Sequence, residues 1–407
     1  MGSTHENDVE LPILQSDWVE KVIFLGTGTS GQVPAIHCVS QDDFGSCAAC
    51  RDATLDPTGK NRRGCTSAAV VGRHADDAEE SMVLIDCGKT FYSNAVVQFP
   101  RNRLRSIRAV LLTHAHADAI LGLDDLRAWT MGGVIQPVVD IYLTHECMLV
   151  VQAMFPYLVD RSKSTGGGDV PSLRWNIIDK DSRFQIPASR GRKPLDVTPL
   201  PCLHGYVGRS SPFWCLGFRI DTFSYISDCH EIPASTLELL KGSEAIVMDA
   251  LKMDRHLSHF SFAQALSFFA SFSPPPALGL LTDFTHKVEH YATQSLVDEW
   301  RNGMLAFQLD QPQQQQQQTN RVSGSTKSNS NGAGHGHGEG EGGGPRWWTQ
   351  IWDEQSNEHR RTIELKRDFA LLVDEDEARK VQHYIPPVKM AWDGMVVPFT
   401  RTTPQAS

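Results

Sequence analysis

The chain lacks any apolar run of the ~18–20 residues that a membrane-spanning helix requires. It also lacks a basic excess: 38 Lys and Arg stand against 48 Asp and Glu, a formal net charge of −10. A general nucleic-acid or anionic-membrane binder needs basic surface, so neither is expected, although a local basic patch stays open. The opening stretch MGSTHENDVELPILQ has neither a basic start nor an apolar segment, so no secretory leader is read there. Evenly paired cysteines are missing too. The nine present are an odd number and scattered apart from one cluster, which suggests reduced thiols and candidate metal ligands, not a disulfide framework. The expected location is the cytoplasm, with the nucleus as the alternative. No internal repeat is visible.

What is present is material for a large core. The 407 residues set a prior of two to three domains, and 40% are apolar. KVIFLGTGTSG from Lys21, Ser67–Gly72, MVLIDCG (Met82–Gly88) and Ile107–Thr113 read as strands ending in turns. Further β-like runs fall at Val139–Leu143, Leu195–Leu200, Phe218–Ile226, Ala245–Met248 and Ala277–Thr282, with helices at Ala119–Trp129, Thr236–Lys241 and Phe262–Phe272. This alternation suggests an α/β architecture with layered sheets. Asp310 to Pro345 breaks the pattern with a glutamine run and GHGHGEGEGGG, which can bury almost nothing. It reads as a disordered insertion, with His335 and His337 as solvated linker residues. Deleting 311–344 should therefore leave the melting temperature nearly unchanged. After it, IELKRDFALLV and VKMAWDGMVV read as strands.

The informative stretch is Thr113-His114-Ala115-His116-Ala117-Asp118, where a buried strand opens into a loop. His114, His116 and Asp118 alternate, so an extended backbone places all three on one side. Neutral imidazoles and a carboxylate suit zinc and related divalent ions. An ordinary polar turn is the competing interpretation, and the strand context with Asp118 favours the metal.

The sequence HAHADAILGLDDLR resembles the HxHxDH signature of the metallo-β-lactamase superfamily. GLDDLR resembles in particular its branch around phosphoribosyl 1,2-cyclic phosphate phosphodiesterase. FLGTGTSGQVPAIHC, MVLIDCG, PLPCLHGYVG, YISDCHEIP, HLSHFSF, LLTDFTHKVEH and AWDGMVV follow in the family's order. The resemblance implies a four-layer αββα sandwich. It would form one domain over 21–397, interrupted by the 310–345 insertion, with tails over 1–20 and 398–407. It also implies that His114, His116 and His204 hold a first metal, that Asp228 bridges to a second, and that Asp118 ligates the second. Two such ions would acidify a shared water and clamp phosphoryl oxygens. His259 in HLSHFSF would be the general acid or a phosphate contact, with His256 as the alternative.

Two positions depart from the family pattern. Ala119 and Asp283 stand where histidines are usual, and both fall on the second metal site. Alanine cannot ligate, and aspartate is a harder oxygen donor. Three outcomes stay open. In the leading reading one zinc suffices, with an open coordination position. In another, Asp118, Asp228 and Asp283 hold Mn²⁺ or Mg²⁺ at the second position. Or catalysis is lost, leaving a zinc-stabilised binding protein. His290 is read as a surface histidine. Separately, Cys47-Ala48-Ala49-Cys50 is a C-x-x-C with Cys38 upstream, three thiolates in need of a fourth ligand. The resemblance supplies His286 and implies a closed structural zinc site. Cys65, Cys87, Cys147, Cys202, Cys215 and Cys229 read as core residues.

The expected function is a metal-dependent hydrolase acting on a small or cyclic phosphodiester, with His259, Asp118 and Asp228 as catalytic residues. The nucleophile would be a metal-bound hydroxide. A glyoxalase-type thioesterase or a lactamase would use the same ligands. A transfer-RNA 3′-processing nuclease is disfavoured by the acidic balance. The expected partner is a small-molecule phosphodiester, with the oligomeric state open and a homodimer among the options.

Overall fold

In the computed structural model, the strands run in chain order as follows. They are β1 (Leu14–Ser16), β2 (Val19–Gly26), β3 (Ser67–Gly72), β4 (Ser81–Ile85), β5 (Ala109–Leu111), β6 (Val139–Leu143), β7 (Leu173–Ile177), β8 (Phe184–Ile186), β9 (Leu195–Val207), β10 (Ser211–Ile220), β11 (Phe223–Tyr225), β12 (Ala245–Asp249), β13 (Leu278–Thr282), β14 (Val388–Met390) and β15 (Val396–Arg401). The structure describes residues 11–77, 79–165, 170–188, 192–208, 210–305 and 384–402. Residues 1–297 with 386–407 make one compact unit and 298–385 a second, and all that follows concerns the first.

Two sheets are formed. One has the order β1-β15-β2-β3-β4-β5-β6-β7, the other β14-β13-β12-β11-β10-β9-β8. The period of two in a strand explains how they stack. On β3 and β4, Ala68, Val70, Val83 and Ile85 point into a core shared with Val197, Phe218, Tyr225, Val247 and Leu280 of the other sheet. Their neighbours Ala69, Val71, Met82 and Leu84 point outward, onto Phe91 and Phe99 of the helix Phe91–Asn102 and Val151 of the helix His145–Met154. Both faces are apolar, so the strands read as unbroken hydrophobic runs. Outside the second sheet, the helix Phe262–Ser271 lays Phe269 against Gly279, where a Cβ would meet its ring at 2.9 Å. Helix, sheet, sheet and helix make the αββα sandwich.

The pairing places the chemistry. β4, β5 and β6 are mutually parallel, as are β11, β12 and β13. Their carboxyl ends carry Asp86, Thr113–His114, Asp228, Asp249 and Asp283. In parallel sheets, ligand sites gather at such ends.

Several expected elements differ. Ala119–Trp129 is not one helix but three short pieces, Ala117–Ile120, Leu123–Leu126 and Arg127–Thr130. The break arises because the loop bonds to the end of β4: Cys87 N–H donates to Ala119 O and Gly122 N–H to Cys87 O, each at 2.8 Å. Phe218–Ile226 is a hairpin, turned at Asp221 with φ +53°. VKMAWDGMVV is split between the two sheets, with Gly394 at φ +89° in the turn. The folded region also reaches beyond 21–397: β1 pairs in parallel with β15, and Leu14 and Trp18 are buried. A strand of three residues, Leu14–Ser16, is too short for its alternation to show in the sequence. The 310–345 insertion and the IELKRDFALLV strand lie outside the described residues. Among the described residues no helix is long and apolar enough to cross a membrane.

Candidate metal centre

The turn after β5 is clamped to the turn after β4. A Cβ at Gly88 would lie 1.6 Å from the Asp118 carbonyl oxygen, so only glycine allows that approach. Asp86 accepts from the Thr113 N–H at one carboxylate oxygen and from the Thr113 hydroxyl at the other, both at 2.8 Å. With that hydroxyl proton committed, the Thr113 oxygen accepts from His114 Nδ1–H at 2.8 Å. The Nε2 lone pair of His114 is thereby left over, and Nε2 has no protein partner although it is buried. Burial pushes His114 down to about 3, so it is neutral at pH 7.

β9 runs on past the expected Leu200 and delivers His204. Its Nδ1–H donates to the Ser258 carbonyl at 2.7 Å, which again frees Nε2. Burial pushes His204 down to about 4. His116 is exposed and stacks on Phe213, with centroids 4.9 Å apart and planes at 16°. The three imidazole centroids lie 4.5, 5.1 and 5.2 Å apart. Asp228 Oδ1 is 3.8 Å from His204 Nε2. Burial disfavours the Asp228 carboxylate, but His114, His204 and His259 outweigh it and hold the group below the usual range. Its Oδ2, like Asp118 Oδ1, is buried with no hydrogen-bond partner.

Buried donors and acceptors are nearly always paired, so the unpartnered His114 Nε2 and Asp228 Oδ2, each in a residue beside the His204 imidazole, suit a divalent cation. His114, His116 and His204 present nitrogen atoms within 4.8 Å of one another, and so do His204, Asp228 and His259 with their own ligand atoms. The cleft beside them is about 410 Å³ and open, lined among others by Thr29, Ser30, Asp118 and Ser258.

The remaining candidates fall in different places. Asp118 faces the cleft but joins no ligand group among the described residues, and burial followed by Asp228 raises it to about 6. Asp283 is not gathered with Asp118 and Asp228: it groups with Asp249 and His259 instead. His259 Nδ1 donates to Asp249 Oδ2 at 2.9 Å. Burial lowers the imidazole's basicity, but Asp249 and Asp283 more than reverse this and raise it. His256 lies near the cleft, its ring 5.2 Å from that of His259. His290 is buried, not a surface residue, and packs edge-on to Trp392. Asp249 and Phe213 have no part in the sequence expectations, and Thr113 is singled out there only as the start of the turn. Aspartate at the end of β12 and the Thr before His114 are the only local hints, and Phe213 gives none.

A second cluster forms where the sequence pointed. Cys38, Cys47, Cys50 and His286 offer ligand atoms within 4.8 Å of one another. Cys38 Sγ and Cys47 Sγ each lie 3.5 Å from His286 Nδ1, and Ala35 N–H donates to Cys50 Sγ at 3.2 Å. A tetrahedral zinc with bonds of about 2.3 Å to sulfur and 2.0–2.1 Å to nitrogen separates S from N by about 3.5–3.6 Å, so the donor set fits. Burial, and then mutual proximity, raises Cys50 to about 12, so without a cation it would remain a thiol. The other six cysteines are buried and free.

The comparisons agree with this geometry. A family described as "Beta-lactamase superfamily domain" matches residues 81–280, from β4 to within β13. A protein of Porphyromonas gingivalis (strain ATCC BAA-308 / W83) named octanoyltransferase is 27% identical over 259 residues. That stretch is 63% of this chain but spans only 45% of the relative. A solved structure described as a new diphosphatase from the PhnP family superposes with a TM-score of 0.52 at 25% identity, covering 68% of this chain and 90% of that one. Zn(2+)-bound PqqB from Methylobacterium extorquens superposes at 0.47 and 17% identity, covering 66% and 90%. By the family match over its central 200 residues and the two-sheet sandwich that carries the histidine turn, the chain belongs to the metallo-β-lactamase superfamily.

Proposed function

We propose that the protein is a metal-dependent phosphodiesterase acting on a small or cyclic phosphodiester. The observation that carries this reading is the His114, His116 and His204 cluster, joined through His204 to Asp228, with His114 Nε2 and Asp228 Oδ2 unpartnered, beside an open cleft. These four residues would hold the first ion, and Cys38, Cys47, Cys50 and His286 a structural zinc. A divalent ion in the first site supplies Lewis acidity, acidifying water and withdrawing charge from phosphoryl oxygens. Asp118 lines the cleft with one carboxylate oxygen unpartnered, and its carboxylate would accept a hydrogen bond from the attacking water. His259 reaches the same cleft with Nδ1 bound to Asp249, so its other nitrogen can deliver a proton to the leaving alkoxide. Similarity to a PhnP-family diphosphatase supports a phosphoryl substrate over a thioester or lactam.

The test is hydrolysis of bis(p-nitrophenyl) phosphate and a five-membered cyclic ribose phosphate, against a thioester and a β-lactam, each with and without added Zn²⁺ or Mn²⁺. Metal-dependent turnover of the phosphodiesters alone is expected. Turnover of the thioester alone would replace the reading. Inertness towards all four with the first site loaded would favour the second reading, a zinc-stabilised binding protein, which Ala119 in the ligand turn motivates.

Support for the ligands is also testable. Thr113→Val removes the hydroxyl joining Asp86 to His114 while keeping the shape. Metal affinity should fall about 10–100-fold with the fold intact, measured by chelator competition alongside far-UV circular dichroism. Unchanged affinity would show that the relay does not orient His114.

A further inference from the structure

Asp283 is the buried acid for which the proposed chemistry has no use. It follows the last residue of β13, is 1% exposed and sits at φ +68°, a conformation Asp adopts more readily than most residues. That turn carries its carboxylate to His259, with Oδ2 2.9 Å from Nδ1. Asp249 Oδ2 is 2.9 Å from the same nitrogen. The two acids come from adjacent parallel strands, since Asp249 pairs with Thr282 in the ladder. One imidazole nitrogen is therefore bracketed by two buried carboxylates.

The bracket is asymmetric. Hydrogen-bond geometry is met toward Asp249, whose Oδ2 also accepts Cys229 N–H at 3.0 Å and Phe260 N–H at 3.3 Å. Neither oxygen of Asp283 has a hydrogen-bond donor in place, though both are buried. One acceptor fixes the direction of an N–H but leaves the ring free to pivot about that bond. A second carboxylate oxygen 2.9 Å from the same nitrogen limits the pivot. It also disfavours a ring flip, which would turn a C–H toward two carboxylates.

We propose that Asp283 is a positioning residue for His259, not a metal ligand: with Asp249 it brackets Nδ1 and so holds the remaining nitrogen toward His204, Asp228 and the cleft. The carboxylate at this strand end therefore serves the imidazole. The inference rests on the proposed metal centre of His114, His116, His204 and Asp228.

The test uses the full-length, zinc-loaded protein with Asp283→Ala and Asp283→Asn. Zinc per chain should be the same in both variants as in wild type. On bis(p-nitrophenyl) phosphate, kcat should fall about 10–100-fold in Asp283→Ala with KM within about threefold. Asp283→Asn, which keeps an acceptor oxygen, should recover most of the loss. Independently of turnover, ¹⁵N-histidine NMR should show the His259 Nδ1 resonance, assigned through His259→Gln, displaced in Asp283→Ala and near its original position in Asp283→Asn. Loss of an active-site metal equivalent in Asp283→Ala would overturn the proposal and make Asp283 a ligand. Equal damage in both variants, or an unmoved His259 signal, would also overturn it. If wild type hydrolyses no phosphodiester, the proposed function falls, while the metal count and the NMR signal still decide the role of Asp283.

Discussion

The double substitution His114→Ala/His116→Ala should remove one metal equivalent per chain and leave another in place. His114 is 3% exposed and its Nε2 has no protein partner, so the side chain has little to lose except the ion. Two of the three imidazoles would be gone, and His204 with Asp228 alone cannot close a stable site. Turnover of a phosphodiester should drop by about 10³-fold or more, because a cation at the phosphoryl group is worth several kcal/mol of transition-state stabilisation. The loss should appear in kcat with the fold retained, as the sheets meet through the separate inter-sheet core. Elemental analysis by mass spectrometry together with the phosphodiester assay decides it. Equal metal in wild type and variant would mean that the histidine site is not loaded. Unless added Zn²⁺ or Mn²⁺ then filled it, the binding-protein reading would take the lead.

Cys50→Ala and His286→Ala should each remove the other equivalent and lower stability. Cys50 is fully buried on the helix Ala48–Leu55, and His286 lies three residues beyond Asp283 in the loop after β13. A shared ion would therefore tie a long N-terminal loop to the end of the second sheet. Structural zinc contributes an apparent ~10–16 kcal/mol in small zinc-finger peptides. Part of that must be retained here by ordinary contacts, such as Arg63 donating to the carbonyls of Thr285 and Val288. A loss of at least about 3 kcal/mol is expected, as when one partner of a buried charged assembly is removed. Thermal melts with and without a strong chelator measure it. Wild type should lose stability on chelation, and the two variants should not respond further. Full metal content and an unchanged melting temperature in Cys50→Ala would show plain thiols instead. The two sites should be separable: the histidine variant keeps the cysteine-bound ion.

Much of the frame was legible in the chain because it depends on short-range signals. Ser67–Gly72 and Val139–Leu143 occur at the expected bounds, and Ala245–Met248 and Ala277–Thr282 are correct to one residue, since fully buried strands are continuous apolar runs. The broken segment at Ala117–Thr130 was not legible: the helical pattern is genuine, but bonds to the end of β4, some thirty residues earlier, override it. Long β9 runs past the expected Leu200 because Pro201 and Gly205, which ordinarily interrupt strands, lie here within a two-stranded ribbon with β10.

For the candidate centre the division is sharper. By itself the sequence determined which groups can ligate: His114 and His116 two residues apart, and Cys47 and Cys50 three apart, whereas Asp118 falls in the short helix Ala117–Ile120 and outside the histidine group. Those spacings are properties of a few adjacent residues and of backbone geometry. Only the tertiary structure decided what those groups do with one another. It ran Asp86 through Thr113 to His114, set the Ser258 carbonyl under His204, and carried Asp283 away from Asp118 to join Asp249 at His259. Asp86 with Thr113, and Asp283 with Asp249, join residues from different strand ends, and Ser258 reaches His204 from a loop. Whether Asp283 faces an ion or an imidazole depends on the turn after β13 and the register of β12 on β13, which no local pattern encodes.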